Sequence, residues 1–329
     1  MRKLSRMILL LIFPIMFSVN LYSQENVAEF LKGDLSNTDN LSDFTALSKA
    51  YLEPFGKSFG TSLNNGWYNS AKPHKLFGFD ITFTTAITIP PSSSKEFDVS
   101  KLNLKYWELD DPNDKLSPTV SGAKDSGPLL RDQATGLIPL TLPQGANMRF
   151  VTTPVIHIGI GLPFHTEVMG RFFPKVDIKG IGRFSMWGVG IKNEFKEFIP
   201  GFKLVPIDVS ILLGYTKFKS SFDINENQNQ TLDFNASGFT SKLLISKSIP
   251  VLTVYAGVGY NKATTDVALK GTYTENAISV TDPLSIDFTS SGFSANLGLR
   301  IKLALIAFHF DYALGKYSVF NAGVGINFR

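Results

Sequence analysis

The sequence predicts an all-β fold: an antiparallel transmembrane β-barrel of about ten strands, with a short, partly helical N-terminal segment. Three observations predict it. The chain opens on an export signal. Everything after about residue 76 alternates apolar and polar residues with period two, run after run. The links between those runs are short and long by turns.

The opening residues 1–23 read MRKLSRMILLLIFPIMFSVNLYS. Arg2, Lys3 and Arg6 make a basic start, Met7 to Tyr22 an apolar stretch, and Ser23 a small residue for cleavage, which is the pattern of a signal peptide. An anchor helix would need roughly 20 apolar residues, and Pro14 breaks this shorter run. Removing the peptide takes three cations from a formal net charge of +4. The mature chain is then close to neutral, and nucleic acid is not an expected partner. The 329 residues include no Cys, which excludes a disulfide scaffold, a Cys metal site, a Cys nucleophile and a lipid-modified N-terminal Cys. Charged residues make up 18%, against about 25% in an ordinary soluble domain.

The alternating runs fall at 76–89, 150–161, 164–175, 181–196, 206–219, 232–247, 251–266, 287–302, 304–314 and 318–328. FGFDITFTTAITI puts Phe77, Phe79, Ile81, Phe83, Ile87 and Ile89 on one face. FSANLGLRIKL does the same for Phe293, Ala295, Leu297, Leu299, Ile301 and Leu303, and LIAFHFDY for Ile306, Phe308, Phe310 and Tyr312. The runs exceed the 5–6 residues of an ordinary strand and suit a tilted membrane crossing of about 9–11. If the last strand runs toward the periplasm, all the long links (90–149, 219–232 and 262–286) fall outside, as in outer-membrane barrels. The 90–149 insertion contains GLIPLTLP, a further hairpin candidate that would bring the count to twelve.

Residues 24–75 do not alternate. LSDFTALSKAYLEPF has helical spacing at Leu41, Phe44, Leu47, Ala50 and Tyr51, and a Gly-rich coil follows. This segment is expected either to cap the periplasmic mouth or to plug the lumen. The barrel proper is expected over 76–329.

The polar face carries the candidate lumen residues: Asp80, His157, His165, Glu167, Arg171, Lys192, Glu194, Asp208, Lys242, Arg300, Lys302, His309 and Asp311. Both signs of charge are present, which suits a lumen closed by ion pairs or filled by a plug more than an ion-selective pore. His165 and Glu167 in FHTEVMGRF could share a face with Arg171 and His157, a pattern open to a metal site or an acid–base pair but commonest as a structural charge network. There is no G-x-S-x-G elbow. No catalytic residue, metal or cofactor is expected. Four Gly-X-Gly pairs also point inward: Gly159 and Gly161, Gly188 and Gly190, Gly257 and Gly259, Gly323 and Gly325. None has the context of a phosphate loop. They make room either for wall curvature or for a plug.

Three stretches carry a resemblance: NNGWYNSAKPHKLFGFD (64–80), GRFFPKVDI (170–178) and WGVGIKNEFKEFIPGFKLVPIDVSILLGYTKF (187–218). Through them the chain resembles an uncharacterised family of Bacteroidota outer-membrane β-barrels of unknown function. The resemblance implies outer-membrane location and supplies no activity. A pre-strand segment followed by a barrel is also distantly similar to fatty-acid-type outer-membrane transporters, which have more strands, so that likeness is a fold-level analogy. Passive transport of a small hydrophobic or amphipathic solute is therefore the first functional expectation. A structural or surface-binding barrel acting through its outer loops is the second, and an outer-membrane hydrolase the last. The expected partners are outer-membrane lipid and the barrel assembly machinery, with Phe328 as the terminal aromatic signal that machinery reads; the oligomeric state is open. Deleting Phe328 and Arg329 should lower the yield of heat-modifiable, membrane-inserted protein on a gel. An unchanged yield would place the signal elsewhere.

Overall fold

The computed structural model describes residues 37–178, 182–196, 205–225, 230–275 and 278–328. The expected signal peptide at 1–23 and residues 24–36 lie outside these. Ten strands close a barrel. They are β1 (Phe79–Ile89), β2 (Val151–Leu162), β3 (Thr166–Ile178), β4 (Gly182–Glu194), β5 (Asp208–Asn225), β6 (Gln230–Ser248), β7 (Leu252–Lys270), β8 (Leu284–Leu303), β9 (Ile306–Leu314) and β10 (Ser318–Phe328). Each pairs antiparallel with the next, and β1 closes on β10 from Phe79↔Phe328 to Ile89↔Ser318. Closure leaves no edge in the lipid, the condition for strands to cross it.

The twelve-strand alternative does not hold. GLIPLTLP contributes only the short strand Pro139–Thr141, which joins Trp107–Leu109 and Leu129–Asp132 in a small sheet outside the barrel. Asp132 accepts from the Thr135 hydroxyl at 2.7 Å and from the Ile138 N–H at 2.8 Å. Those donors, the hydroxyl foremost, hold its carboxyl down at about 2, so the turn stays ionised and tied.

The wall is uneven in height. β9 has 9 residues and β1 and β10 have 11, enough for one tilted crossing. β5 to β8 have 18–20 residues. The stretches 219–232 and 262–286, expected as loops, are largely the upper halves of these four strands plus a hairpin of Thr272–Glu275 with Ile278–Thr281. Their polar residues belong to strands whose outward face meets water.

That face changes character at one level. On β5 the outward series runs Ile211, Leu213, Tyr215, then Lys217 and Lys219. On β7 it runs Val254, Val258, Tyr260, then Lys262 and Asp266, and on β8 Leu299, Leu297, Phe293, then Ser291, Thr289 and Asp287. Aromatic rings mark the change: Trp187 lies 5.7 Å from Tyr215, and Tyr260 5.7 Å from Phe293. This is the interfacial girdle of a membrane barrel. The inner face changes in the opposite sense. Below the girdle it carries Asp80, Glu167, Arg171, Lys192 and Asp311. Above it Phe184, Phe218, Phe234, Val267, Ile286 and Phe288 are buried.

The helix α1 (Thr38–Leu63) fills the upper storey. Asn37 caps it, its side-chain oxygen accepting the Asp39 N–H at 2.8 Å. Phe44, Leu47, Tyr51, Phe59 and Leu63 are buried, while Leu41 and Ala50 stay half-buried. The Phe59 ring packs 5.1 Å from Phe218 and 4.8 Å from Phe234, each such burial worth about 1.5–3 kcal/mol. The other side of α1 meets the 90–149 insertion, whose Trp107, Val120, Leu130 and Leu140 belong to the same core. Asp43 accepts the backbone N–H groups of Tyr106 at 2.8 Å and of Trp107 at 3.0 Å, and Trp107 Nε1 donates to Asn40 at 2.8 Å. The two storeys thus share strands and have opposite insides.

Phe310 faces outward at 48% exposure and Asp311 inward at 6%. Phe310→Arg should cost roughly 2–4 kcal/mol if it sits near mid-depth, measured as folded fraction in lipid vesicles against urea. Asp311→Asn, held by Asn321 at 2.9 Å and Tyr255 at 3.0 Å, should cost less. The reverse order would invert the inside and outside of this strand.

Candidate functional site: the filled lumen

Below α1 the chain becomes a coil, residues 64–76, that descends the lumen to the start of β1. Arg171 on β3 fixes its upper end. The guanidinium donates to the carbonyls of Leu63 at 2.8 Å and Asn65, and to Thr216 Oγ1 at 3.1 Å. It lies 3.6 Å from the centre of the Trp67 ring. A cation on the last carbonyls of a helix opposes the negative end of the helix dipole, and the stacked ring adds a cation–π attraction. Trp67 needs flat wall on its other side. A Cβ on Gly190 would come within 2.8 Å of the ring, and one on Gly214 within 2.7 Å.

One step lower, Tyr68 donates to Asn296 and meets the Tyr255 ring edge-on at 5.8 Å. Tyr255 donates to Asp311 at 3.0 Å. Lys242 Nζ sits 5.8 Å from the Tyr68 ring centre. Ser210 donates to the Ala71 carbonyl at 2.5 Å, the Ala71 N–H to Ser246 at 3.1 Å, and Lys192 to the Ser70 carbonyl at 3.3 Å.

At the short-turn mouth the coil is latched by its own His74. His74 Nε2 lies 2.9 Å from Asp80, and its backbone N–H donates to Glu167 at 3.0 Å. His157 reaches the other Asp80 oxygen at 3.2 Å, and Lys192 pairs with Glu167 at 3.1 Å. His74, Asp80 and Glu167 present ligand atoms within 4.8 Å of one another, a spacing a metal ion could use. Yet both Asp80 oxygens face imidazoles, and Glu167 already answers Lys192 and the His74 N–H. The arrangement is complete as an ion-pair latch. Thr84 Oγ1 lies 3.2 Å from His309 Nε2, but His309 Nδ1 has no partner among the described residues, so no carboxylate orients that imidazole as a catalytic base.

The structure gathers most of the candidate lumen residues round this coil. Asp80, His157, Glu167, Arg171, Lys192, Asp208, Lys242, Arg300, His309 and Asp311 are buried on the inner face. His165 is a correction. It sits in the turn between β2 and β3 with a left-handed φ of 52°, exposed, and does not share a face with Glu167. β3 begins at Thr166, two residues later than the run 164–175 implied. Glu194 and Lys302 are half-buried at the strand ends, with Lys302 donating to Asn327 at 2.6 Å. Of the inward glycines, Gly190 faces Trp67, Gly257 faces the Tyr68 hydroxyl, and Gly161 faces the carbonyls of His74 and Lys75. Gly159, Gly188, Gly259, Gly323 and Gly325 instead give room to neighbouring wall residues. Three of the eight therefore make room for the coil. Phe328 faces outward, its ring 5.7 Å from Phe79 across the closing seam. Sequence reasoning missed Tyr68, Tyr255, Asn296 and Asn321 as lumen partners. Trp67 stood out only as part of a distinctive stretch.

The family model for a "Family of unknown function (DUF6588)" matches residues 1–328. The chain belongs to that family. Membership in DUF6588 supplies no activity. No curated protein matches. Three solved barrels are similar at low scores. The translocator domain of the autotransporter NalP from Neisseria meningitidis has 11% identity and TM-score 0.31, over 78% of this chain and 90% of its own. Ail, the attachment invasion locus protein of Yersinia pestis, in complex with the heparin analogue sucrose octasulfate, has 7% and 0.28, over 76% and 97%. The outer-membrane protease OmpT of Escherichia coli has 7% and 0.28, over 76% and 97%. Likeness at this level carries no argument about what this DUF6588 chain does.

Arg171→Met should leave the Asn65 carbonyl without its donor, at roughly 1–3 kcal/mol, and the Leu63 carbonyl with only the Thr216 hydroxyl at 3.4 Å. Arg171→Lys should fall between Arg171→Met and wild type, keeping the charge without the fork. Urea unfolding in vesicles, followed by tryptophan fluorescence, reads both. A methionine variant as stable as wild type would mean that the coil is not anchored there.

Proposed function

We propose that this protein is a plugged outer-membrane barrel that works at the cell surface, through the folded head built from α1, the 90–149 insertion and the tall strands. The observation that carries this reading is the coil 64–76, hydrogen-bonded to the wall from Leu63 to His74 through the whole membrane belt. On this reading the signal peptide directs export, the short turns face the periplasm, the head faces outward, and outer-membrane lipid meets the belt. The terminal Phe328 strand is the segment handed to the barrel assembly machinery.

Passive transport of a small hydrophobic or amphipathic solute is less well supported. A solute would have to displace Trp67 and Tyr68, both buried, from their contacts with Arg171 and Asn296. A ten-strand barrel is only slightly wider than the eight-strand barrels that side chains fill, and here the coil uses that extra width. Hydrolysis is less well supported again, because the lumen histidines hold the coil and the wall.

The absence of Cys from the sequence makes single-cysteine labelling clean. Glu108→Cys in the insertion should react with a membrane-impermeant maleimide on intact cells, and Leu305→Cys in a short turn should not. Vesicles holding the full-length protein should swell in a small sugar no faster than empty ones. Reversed labelling would invert the orientation, and rapid swelling would restore the transport reading.

A further inference from the structure

At two steps the unequal wall leaves an upper strand edge open among the described residues: Phe172–Ile178 of β3, which pairs with β2 only up to His157↔Arg171 and carries Pro174 and Lys175, and the upper half of β8. β8 pairs with β7 along nearly its whole length, from Leu252↔Ile301 to Leu269↔Leu284. On its other side it pairs with β9 only from Ala295↔Leu314 to Leu303↔Ile306. Over Leu284–Ser294, no backbone hydrogen bond meets that second side among the described residues. This edge stands above the girdle, so it is not exposed to lipid.

Natural edges of this length are usually blunted by Lys, Pro or very short strands. LSIDFTSSGFS contains neither Lys nor Pro, and Asp287 is its one charged residue. Asp287 lies directly across from Asp266 on β7, so two carboxylates face each other on the outer surface of the head. Lys49 of α1 lies 3.3 Å from Asp287, both side chains exposed, so one cation serves a pair of facing carboxylates and leaves the pair net acidic. At its lower end, beside Gly292, lies a small cleft open to the outside. Ser290, Ser291, Phe293, Lys316 and Tyr317 line it.

We propose that the free edge Leu284–Ser294 receives an extended segment of a partner protein, which adds to the sheet as one further strand with a basic side chain opposite Asp287. This rests on the surface-acting reading above and names where the head binds. Only an extended polypeptide repeats main-chain donors and acceptors at the spacing that an open edge offers. The facing carboxylates of Asp266 and Asp287 set the charge of the side chain that fits.

The test uses full-length protein in detergent micelles and fluorescein-labelled eleven-residue peptides of alternating Val and Thr. One peptide has a central Lys, one a central Glu. A third is the Lys peptide N-methylated at alternate residues along one edge. Fluorescence anisotropy should show saturable binding of the Lys peptide, at least tenfold weaker binding of the Glu peptide, and none of the methylated one. Asp287→Lys should reverse the preference for charge. This variant should also remain heat-modifiable, since it places a cation opposite Asp266. No binding of any peptide, equal binding of the methylated one, or an unchanged preference in Asp287→Lys would each overturn the proposal. The labelling and swelling results do not depend on this edge, so its failure would leave the surface-acting reading to be judged separately.

Discussion

One constraint organises the molecule: a single set of strands has to serve two solvents in succession. Below the girdle lipid lies outside, so outward side chains are apolar and the polar ones turn in. Above it water lies outside, and the same strands reverse. Lys217 and Lys219 follow Ile211 and Leu213 along one outward face of β5. On the inward face of the same strand, Asp208 and Ser210 give way to Phe218. Period-two alternation runs unbroken through the change, because the backbone does not know which solvent it meets. Only the chemistry of each face is exchanged, and the rings of Trp187, Tyr215, Tyr260 and Phe293 stand at the level of the exchange.

The reversal dictates what fills each storey. An apolar inner face needs an apolar partner, and α1 supplies Phe44, Leu47, Phe59 and Leu63. A polar inner face cannot be closed by such a helix without orphaning its charges. The chain therefore leaves the helix at Leu63 and continues as a coil, whose free carbonyls and N–H groups answer Arg171, Lys192, Ser210 and Ser246. Arg171 stands at the junction. Its side chain serves the last helical carbonyl and the first aromatic of the coil together, which ties the upper core to the lower network.

Much of this was legible in the sequence. The ten strands, their antiparallel order and the inward charges such as Asp80 and Asp311 follow from alternation and link length alone. The helix was visible in the spacing of Phe44, Leu47 and Tyr51. The upper halves of β5 to β8 were not, because a strand with a wet outer face and an apolar inner face has the composition of a loop such as KSSFDINENQNQTL. Nor could alternation decide between a cap and a plug, since the contacts of Trp67 with Gly190 and Gly214 join residues far apart in the chain. His165 was misplaced for a local reason: a turn takes residues out of the alternation without changing their type.

The difference in strand height follows from the same logic. β9, β10 and β1 stop at the girdle because on that side the upper core is covered by the 90–149 insertion, whose Trp107, Leu130 and Leu140 take the place of wall. That insertion grows out of β1, so it can cover the strands nearest its own root. β8 is tall and its neighbour β9 is short, and at the step between them, as at the step from β3 to β2, the barrel sheet changes from a closed wall to an open one. A closed sheet is obligatory only in lipid. Above the girdle water can satisfy an unpaired row of main-chain groups, so the fold tolerates an edge there that it could not tolerate one storey lower. The open upper edge of β8 therefore lies on the head, beside the acidic pair of Asp266 and Asp287.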